Sequence, residues 1–367
     1  MKMKTKSLFA ALGAAALLLL AGACNKLPAD RTDTQSGGGE VTLNVNLGGG
    51  PHTKVAAQTE ANEKMIRNVQ IFVFRAGSGG DAGNLEISAS SGFDGELEVS
   101  AGSYSGLTLK CTTGEREIWA VVNDARDHTV GADAVASKAD LLALTHELKD
   151  ARREKLFMIG GVTRTLHEGV EDVEIPVKRL VASVILQSVK NDFISPAYQK
   201  SETFRVEDCY LINVPGRIAF SGTGEPSALP EDDWYARMGA EKTSPRGDLI
   251  YDRLETPKIV NYGSSDTTPH TFYTYPNDCT LSEDASWSPR ATLLVLEASI
   301  YNGHEWMKYY YPVAISGGLA SNKQYTVNLT VHRPGSLDPN VPVKFDDVTP
   351  VVKVSDWDGG ENYEPEI

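Results

Sequence analysis

Short runs in which apolar and polar residues alternate, set apart by Gly, Asn, Asp and Pro, dominate this chain. Val41-Thr-Leu-Asn-Val-Asn-Leu47 alternates with period two, the mark of a strand with one buried face. Val69-Gln-Ile-Phe-Val-Phe74, Leu107–Leu109 and Ile118–Val122 read as further strands, and Val173–Val177 closes this first series. A second series runs through Val181–Val189, Arg205–Val214, Thr292–Tyr301, Tyr309–Ile315, Tyr325–His332 and Val348–Trp357. One segment, Ser137–Leu148, has helical spacing: Leu141, Leu142, Leu144 and Leu148 share a face, and Ser137 with Asp140 resembles a capping box. Gly222–Thr271, rich in Pro, Asp and Gly, reads as a long surface excursion. Many strands with a single short helix predict an all-β fold of two tandem β-sandwiches, 41–177 with the helix and 178–367 without it.

The first residues follow another rule. Lys2, Lys4 and Lys6 precede the apolar run Leu8–Leu20, and the small residues Ala21-Gly22-Ala23 lead into Cys24. That order is a secretory signal, and the run is shorter than the roughly 20 residues needed to span a bilayer. A cysteine at the cleavage point resembles the lipobox of bacterial lipoproteins, with the usual leucine one place early at Leu20. The resemblance implies a signal peptide over 1–23, a diacylglyceryl group on Cys24 and attachment to the outer membrane. Residues 24–40, polar and ending in a Ser-Gly-Gly-Gly run, read as a flexible tether.

Composition narrows the chemistry. The net charge of −14, with no basic stripe beyond the short Arg152, Arg153, Lys155 cluster, argues against nucleic acid as a partner. Cys111, Cys209 and Cys279 show no CxxC spacing, so neither a zinc nor a redox motif is present; either Cys209 pairs with Cys279 or all three are isolated thiols. The histidines are scattered without HExxH spacing, and no GxSxG or phosphate loop occurs. The acidic groups Asp346-Asp347, Asp356/Asp358 and Glu231-Asp232-Asp233 lack the spacing of a glycosidase pair or a calcium loop. The expectation is a protein that is not an enzyme and that uses no cofactor or metal.

Several stretches, taken in order, resemble the fimbrillin family, the FimA-like and Mfa-like major and accessory fimbrial subunits of Bacteroidales (type V pili). Val69–Phe74 resembles the core strand after the family's N-terminal strand, and Ile118-Trp-Ala-Val-Val-Asn123 its "A-V-V-N" segment. Ala139–Leu148 looks like the single helix, Leu156–Gly160 the strand behind it, and Val177-Lys-Arg-Leu-Val-Ala182 the arginine-containing strand opening the second domain. Phe272–Asn277, Asn322–Leu329, the Pro334-Gly335-Ser336 turn and Trp357 resemble later elements.

The resemblance implies two sandwiches of transthyretin-like type and a structural subunit, stalk or tip, exported as an outer-membrane lipoprotein and ending in a cell-surface fimbrium that supports adhesion. It implies that a trypsin-like surface protease cuts the loop Gly48–Asn62 and releases the strand carrying Val41, Leu43, Val45 and Leu47. Where the family most often has arginine, this loop offers Lys54 before Val55; either a lysine-tolerant protease cuts there, or cleavage falls at Lys64 or at the weaker Arg67, or there is none, and Lys54 equally fits a solvated loop charge. The emptied groove is then filled by strands 341–357 of a neighbouring subunit, with Val348, Pro350, Val352 and Val354 on one face and Trp357 at the end. Alternatively these strands complete their own domain, as in a tip subunit. The partners implied are other fimbrial subunits, the protease and, before maturation, the membrane. A second reading is a lipid-anchored sandwich that binds glycan or host ligand through Trp234, Tyr235, Trp287 and Trp306.

Overall fold

A computed structural model describes residues 38–48, 63, 65–100, 104–237, 247–282, 284, 286–315, 317–343 and 346–357. Cys24, Lys54, Val55 and Lys64 lie outside them. Along the first half run β1 (Glu40–Gly48), β2 (Met65–Ile66), β3 (Val69–Arg75), β4 (Leu85–Ser91), β5 (Val99–Ser100), β6 (Ser105–Thr112), β7 (Gly114–Val122), helix α1 (Lys138–Ala143), β8 (Thr145–Glu147), β9 (Met158–Leu166), β10 (Gly169–Pro176) and β11 (Lys178–Arg179). The second half holds β12 (Ala182–Asn191), β13 (Phe204–Ile212), β14 (Val214–Pro215), β15 (Arg217–Ala219), β16 (Trp234–Tyr235), β17 (Tyr251–Ile259), β18 (Ser265–Asp266), β19 (His270–Thr274), β20 (Leu293–Tyr301), β21 (Trp306–Ala314), β22 (Lys323–Val331) and β23 (Val348–Asp356).

In the first half a sheet ordered β10-β1-β6 faces one ordered β11-β9-β7-β3-β4. The core between them takes Val41, Leu43, Val45 and Leu47 from β1, with Val69, Ile71, Val73, Ile118, Ala120 and Val122 opposite. β3 is buried along nearly its whole length, with the apolar run Ile71–Phe74, because both of its faces are covered. Its odd positions enter that core, whereas Phe72 and Phe74 enter a second core shared with the other half. That second core fills the space between the sheets β18-β12-β22-β23 (with β19 on β12) and β17-β13-β20-β21. Among the described strands, only the β8–β15 pair joins residues from the two sides of Leu180.

Three expectations change. The helix is half the predicted length: α1 ends at Ala143, Leu144 turns extended (φ −58°, ψ 155°), and Thr145–Glu147 becomes β8 against β15. Ser137 caps it as expected, its hydroxyl accepting from the Asp140 N–H. The Leu spacing is real, but β8 needs Thr145 to Glu147 for its own ladder, and a six-residue helix has little propagation to resist that. The Gly222–Thr271 excursion contains β17, which pairs directly with β13; its residues are mostly exposed or half-buried, so no apolar alternation marked it. β4 also escaped notice, since Leu85–Ser91 is largely small and polar and lies at a sheet edge.

Cys111, Cys209 and Cys279 are free thiols, so the Cys209–Cys279 bridge left open by the sequence is not formed. Cys209 sits in β13 with Sγ 3.9 Å from the Asp252 carbonyl, while the Cys279 N–H bonds Asn277 Oδ1 (3.0 Å) in the loop beyond β19. Burial, chiefly, pushes both thiols above their ordinary value, which keeps them protonated and slow to oxidise.

Candidate functional site

β1 is a central strand whose neighbours are both remote in sequence. It runs parallel to β10, from Val41↔Gly169 to Gly48↔Pro176, and antiparallel to β6, from Glu40↔Thr112 to Asn46↔Ser105. Backbone bonds beyond the ladders fix its ends: Thr113 N–H to Gly39 O (3.0 Å) and Leu47 N–H to Tyr104 O (3.1 Å). Val41, Leu43, Val45 and Leu47 are at most 2% exposed. Full burial of four such side chains is worth about 6–12 kcal/mol by transfer measures, similar to the whole stability of an ordinary domain. The opposite face is polar; Asn44 Nδ2 donates to Asp172 Oδ1 (2.9 Å), and Asn44 Oδ1 accepts from Thr108 (3.1 Å). Without β1, β6 and β10 would each expose an unpaired edge over an open apolar floor.

Arg67, the weaker cleavage candidate, lies between β2 and β3 and is held on every side. Its N–H donates to Asn123 Oδ1 (2.7 Å), its carbonyl accepts from Leu97 N–H (2.8 Å), and its guanidinium pairs with Glu98 (3.0 Å). Asn123, in the left-handed region at φ 63°, also donates through Nδ2 to the Met65 and Leu156 carbonyls. Asn tolerates that backbone better than other side-chain-bearing residues, which is what the Asn of the "A-V-V-N" stretch does here.

The candidate donor strand occupies the edge of its own sheet. β23 pairs with β22 alone, from Val348↔Val331 to Asp356↔Lys323. Val348 and Pro350 are buried and Val352 and Val354 half-buried, with Val351 and Lys353 turned outward, the faces expected from the alternation. Residues 341–343 precede it without strand structure, so the predicted strand there is not formed in the described part; Val343 N–H instead bonds Pro312 O (3.2 Å).

The far end of β23 is clasped by a group that sequence reading missed. Glu63, 5% exposed, accepts through Oε1 from the Tyr273 hydroxyl (2.5 Å) and through Oε2 from Trp357 Nε1–H (2.8 Å). Its carbonyl accepts from Arg179 Nε and Nη2, both at 3.2 Å. The Arg179 guanidinium lies 4.7 Å from the Trp357 ring centroid, and Tyr273 stacks on that ring at 5.7 Å and 12°. Burial first, then the Glu63 charge, pushes the Tyr273 phenol up, so it stays a donor. Asn322, at φ 57°, accepts the Trp357 N–H at its carbonyl (3.1 Å). Arg179, Asn322 and Trp357, three scattered motif residues, therefore meet around the terminal indole; Glu63, in a polar stretch of sequence before β2, carried no periodic signal.

The four surface aromatics of the second reading are committed to packing. Trp234 is buried edge-on to Trp287 (5.5 Å), and Tyr235 packs against the second core. Trp306 stacks between Tyr301 and the Arg205 guanidinium, 4.2 Å from its centroid. The Glu231-Asp232-Asp233 run is met by Arg237, at 2.9 Å from Glu231 and 3.5 Å from Asp232, and by Arg217, 2.8 Å from Asp233.

Residues 40–173 match the family described as Major fimbrial subunit protein (FimA). Over 288 residues the chain is 24% identical to Major fimbrium subunit FimC of Porphyromonas gingivalis ATCC 33277, covering 74% of this chain and 53% of that protein. It thus spans about half the length of the curated relatives it matches. Among solved structures it is similar to a fimbrilin (fimA) from Porphyromonas gingivalis W83, with a TM-score of 0.57 and 14% identity over 86% of this chain and 97% of that one. A candidate cell adhesion protein from Parabacteroides distasonis ATCC 8503 gives a TM-score of 0.60 and 17% identity over 87% and 100%. These likenesses establish the all-β fold. Through its residues 40–173, the chain thus resembles the FimA-type major fimbrial subunits.

Proposed function

We propose that this subunit polymerises by exchanging β1 for the C-terminal strand of a neighbour, after export as a lipoprotein acylated at Cys24 and release by a trypsin-like surface protease. The observation that carries the reading is the seat of β1: a central strand with four buried apolar side chains, paired on both sides with strands remote in sequence. Cutting the loop Gly48–Asn62, at Lys54-Val55 in this reading, makes β1 separable from the domain it completes.

The donor must match what leaves. β1 places apolar side chains at every second residue from Val41 to Leu47, and β23 offers the same spacing at Val348, Pro350, Val352 and Val354. It must run parallel to β10 and antiparallel to β6, as β1 does. Pro350 lacks an N–H, so the substitute forfeits one ladder bond at most. As an edge strand, β23 detaches by breaking one ladder, whereas β1 would have to break two. Groove and donor lie at different places on the subunit, so the contact is heterologous and propagates as a filament. In this reading the chain divides into two domains near Lys178, where sheet membership changes, and the lipid serves as a transport address that is discarded with β1.

Limited digestion of the precursor with trypsin, followed by gels run without boiling, tests the reading. The expected result is cleavage between β1 and β2 together with a ladder of detergent-resistant multimers. A cleaved chain that retains β1 and stays monomeric would contradict it.

A further inference from the structure

We propose that Cys209, Asp252 and His270 form a binding site for one zinc-class divalent cation. Cys209 on β13 stands directly opposite Asp252 on β17 in the antiparallel ladder, so both side chains leave the same face of that sheet. His270 opens β19, a strand of the other sheet, where it pairs with Leu186 of β12. A thiol sulfur, a carboxylate oxygen and an imidazole nitrogen, brought from both layers of the second half, lie within 4.8 Å of one another. His270 Nδ1 is 2.8 Å from Asp252 Oδ2, so the acid and the imidazole already hold each other's orientation. In a tetrahedral zinc site, with bonds of 2.0–2.3 Å, neighbouring ligand atoms are about 3.5 Å apart. Closing the triad onto an ion therefore requires the widest pair to contract by at most roughly 1.3 Å and the Asp252–His270 pair, at 2.8 Å, to open by roughly 0.7 Å, within reach of small side-chain rotations.

Charge and donor chemistry choose the ion. A thiolate, a carboxylate and a neutral imidazole together carry two negative charges, which a divalent cation cancels, leaving a neutral site where Cys209 is fully buried and His270 is 8% exposed. Asp208 and Asp266 add to the negative field at the sulfur; with burial, the same field holds the metal-free thiol protonated. Sulfur and nitrogen donors favour zinc over calcium or magnesium, which take oxygen. Binding replaces the sulfur–hydrogen bond of Cys209 by a sulfur–metal bond and releases that proton to solvent, while the imidazole coordinates through a lone pair and keeps its own proton on the other nitrogen. The Asp252 carboxylate, 41% exposed, forms the mouth of the site, and a water there completes four-coordination. The bound ion would tie the two sheets together at a point where no covalent link joins them. Its three ligands come from three separate strands, so no local spacing announces it.

Titration of the untagged full chain with Co(II), then displacement by Zn(II), tests this. The expected result is one ion per chain, with a near-ultraviolet sulfur-to-cobalt charge-transfer band and the strong visible bands of a tetrahedral ion. The band should persist in the Cys111→Ser/Cys279→Ser double variant and vanish in Cys209→Ser. His270→Ala should weaken binding by at least about 100-fold, more than loss of an outer-shell partner usually does. Cys209→Ser is nearly isosteric, so circular dichroism of that variant confirms that its fold is retained. Absence of the band in the parent chain, its survival in Cys209→Ser, or unchanged affinity in His270→Ala would each overturn the site.

Discussion

Replacing Trp357 by Ala is expected to destabilise the chain by about 3–5 kcal/mol, the range for removing a large buried aromatic. More than packing is lost. Glu63 Oε2 would lose the indole donor at 2.8 Å, Arg179 the ring beneath its guanidinium, and Tyr273 its stacking partner. A carboxylate that is 5% exposed cannot recover a missing donor from bulk water without opening its surroundings. The loss should concentrate at β23, which has one ladder and this clasp to hold it. Denaturant midpoints measure the overall change, and amide exchange across 348–356 should rise well before that of β20. Trp357→Phe keeps an aromatic ring in the stack and removes the donor, and should cost about 1.5–3 kcal/mol, the worth of one hydrogen bond to a charged group. A Trp357→Ala change below about 1 kcal/mol would mean that the clasp holds nothing.

The second large effect is on pH. His146 lies in β8, opposite Ile218 of β15, where the two halves join. Its ring packs 4.4 Å from Phe157 by centroid, and Nδ1 is hydrogen-bonded to the Tyr275 hydroxyl at 2.5 Å. Nε2 finds no partner among the described residues. Burial is the main cause that lowers its pKa from 6.5 to about 4. Above 6.5 the imidazole is neutral whether the chain is folded or not, and its contribution to stability is fully present. Between 6.5 and about 4 the unfolded chain binds the proton and the folded chain resists it, so stability falls as pH falls. The full drop amounts to about 3 kcal/mol, since each tenfold change is worth about 1.4 kcal/mol. His146→Gln should flatten the stability profile in this window, measured as denaturant midpoints from pH 7 to pH 4. An unchanged slope would place the acid sensitivity elsewhere.

Which parts of this were legible in sequence follows from what each part rests on. The alternation in Val41–Leu47 is local and strong, and its burial in β1 came out as read. The apolar-rich stretch Val69–Phe74 announced a strand, though only the structure explains it as one with a core on each side. The helix was overread because Leu144 and Leu148 keep helical spacing while belonging to other elements, the turn into β8 and the short helical turn after it. β17 was missed because an edge strand whose own side chains are mostly exposed or half-buried needs no apolar alternation. The clasp and the Cys209 triad were invisible for one shared reason. Their members lie tens to hundreds of residues apart, and only the register of β13 with β17 and the docking of β23 bring them together.

Polymerisation by strand exchange requires that β1 be a replaceable part. A chain that begins at residue 49, offered a synthetic peptide of sequence Glu-Val-Thr-Leu-Asn-Val-Asn-Leu-Gly, tests this most directly, with size-exclusion chromatography and peptide binding as readouts. The predicted result is that the truncated chain self-associates alone, binds the peptide one to one, and then remains monomeric. The same peptide with Leu43 and Val45 both changed to Asp should neither bind nor prevent assembly. A truncated chain that stays monomeric, keeps the stability of the parent and ignores the peptide would contradict strand exchange through this groove.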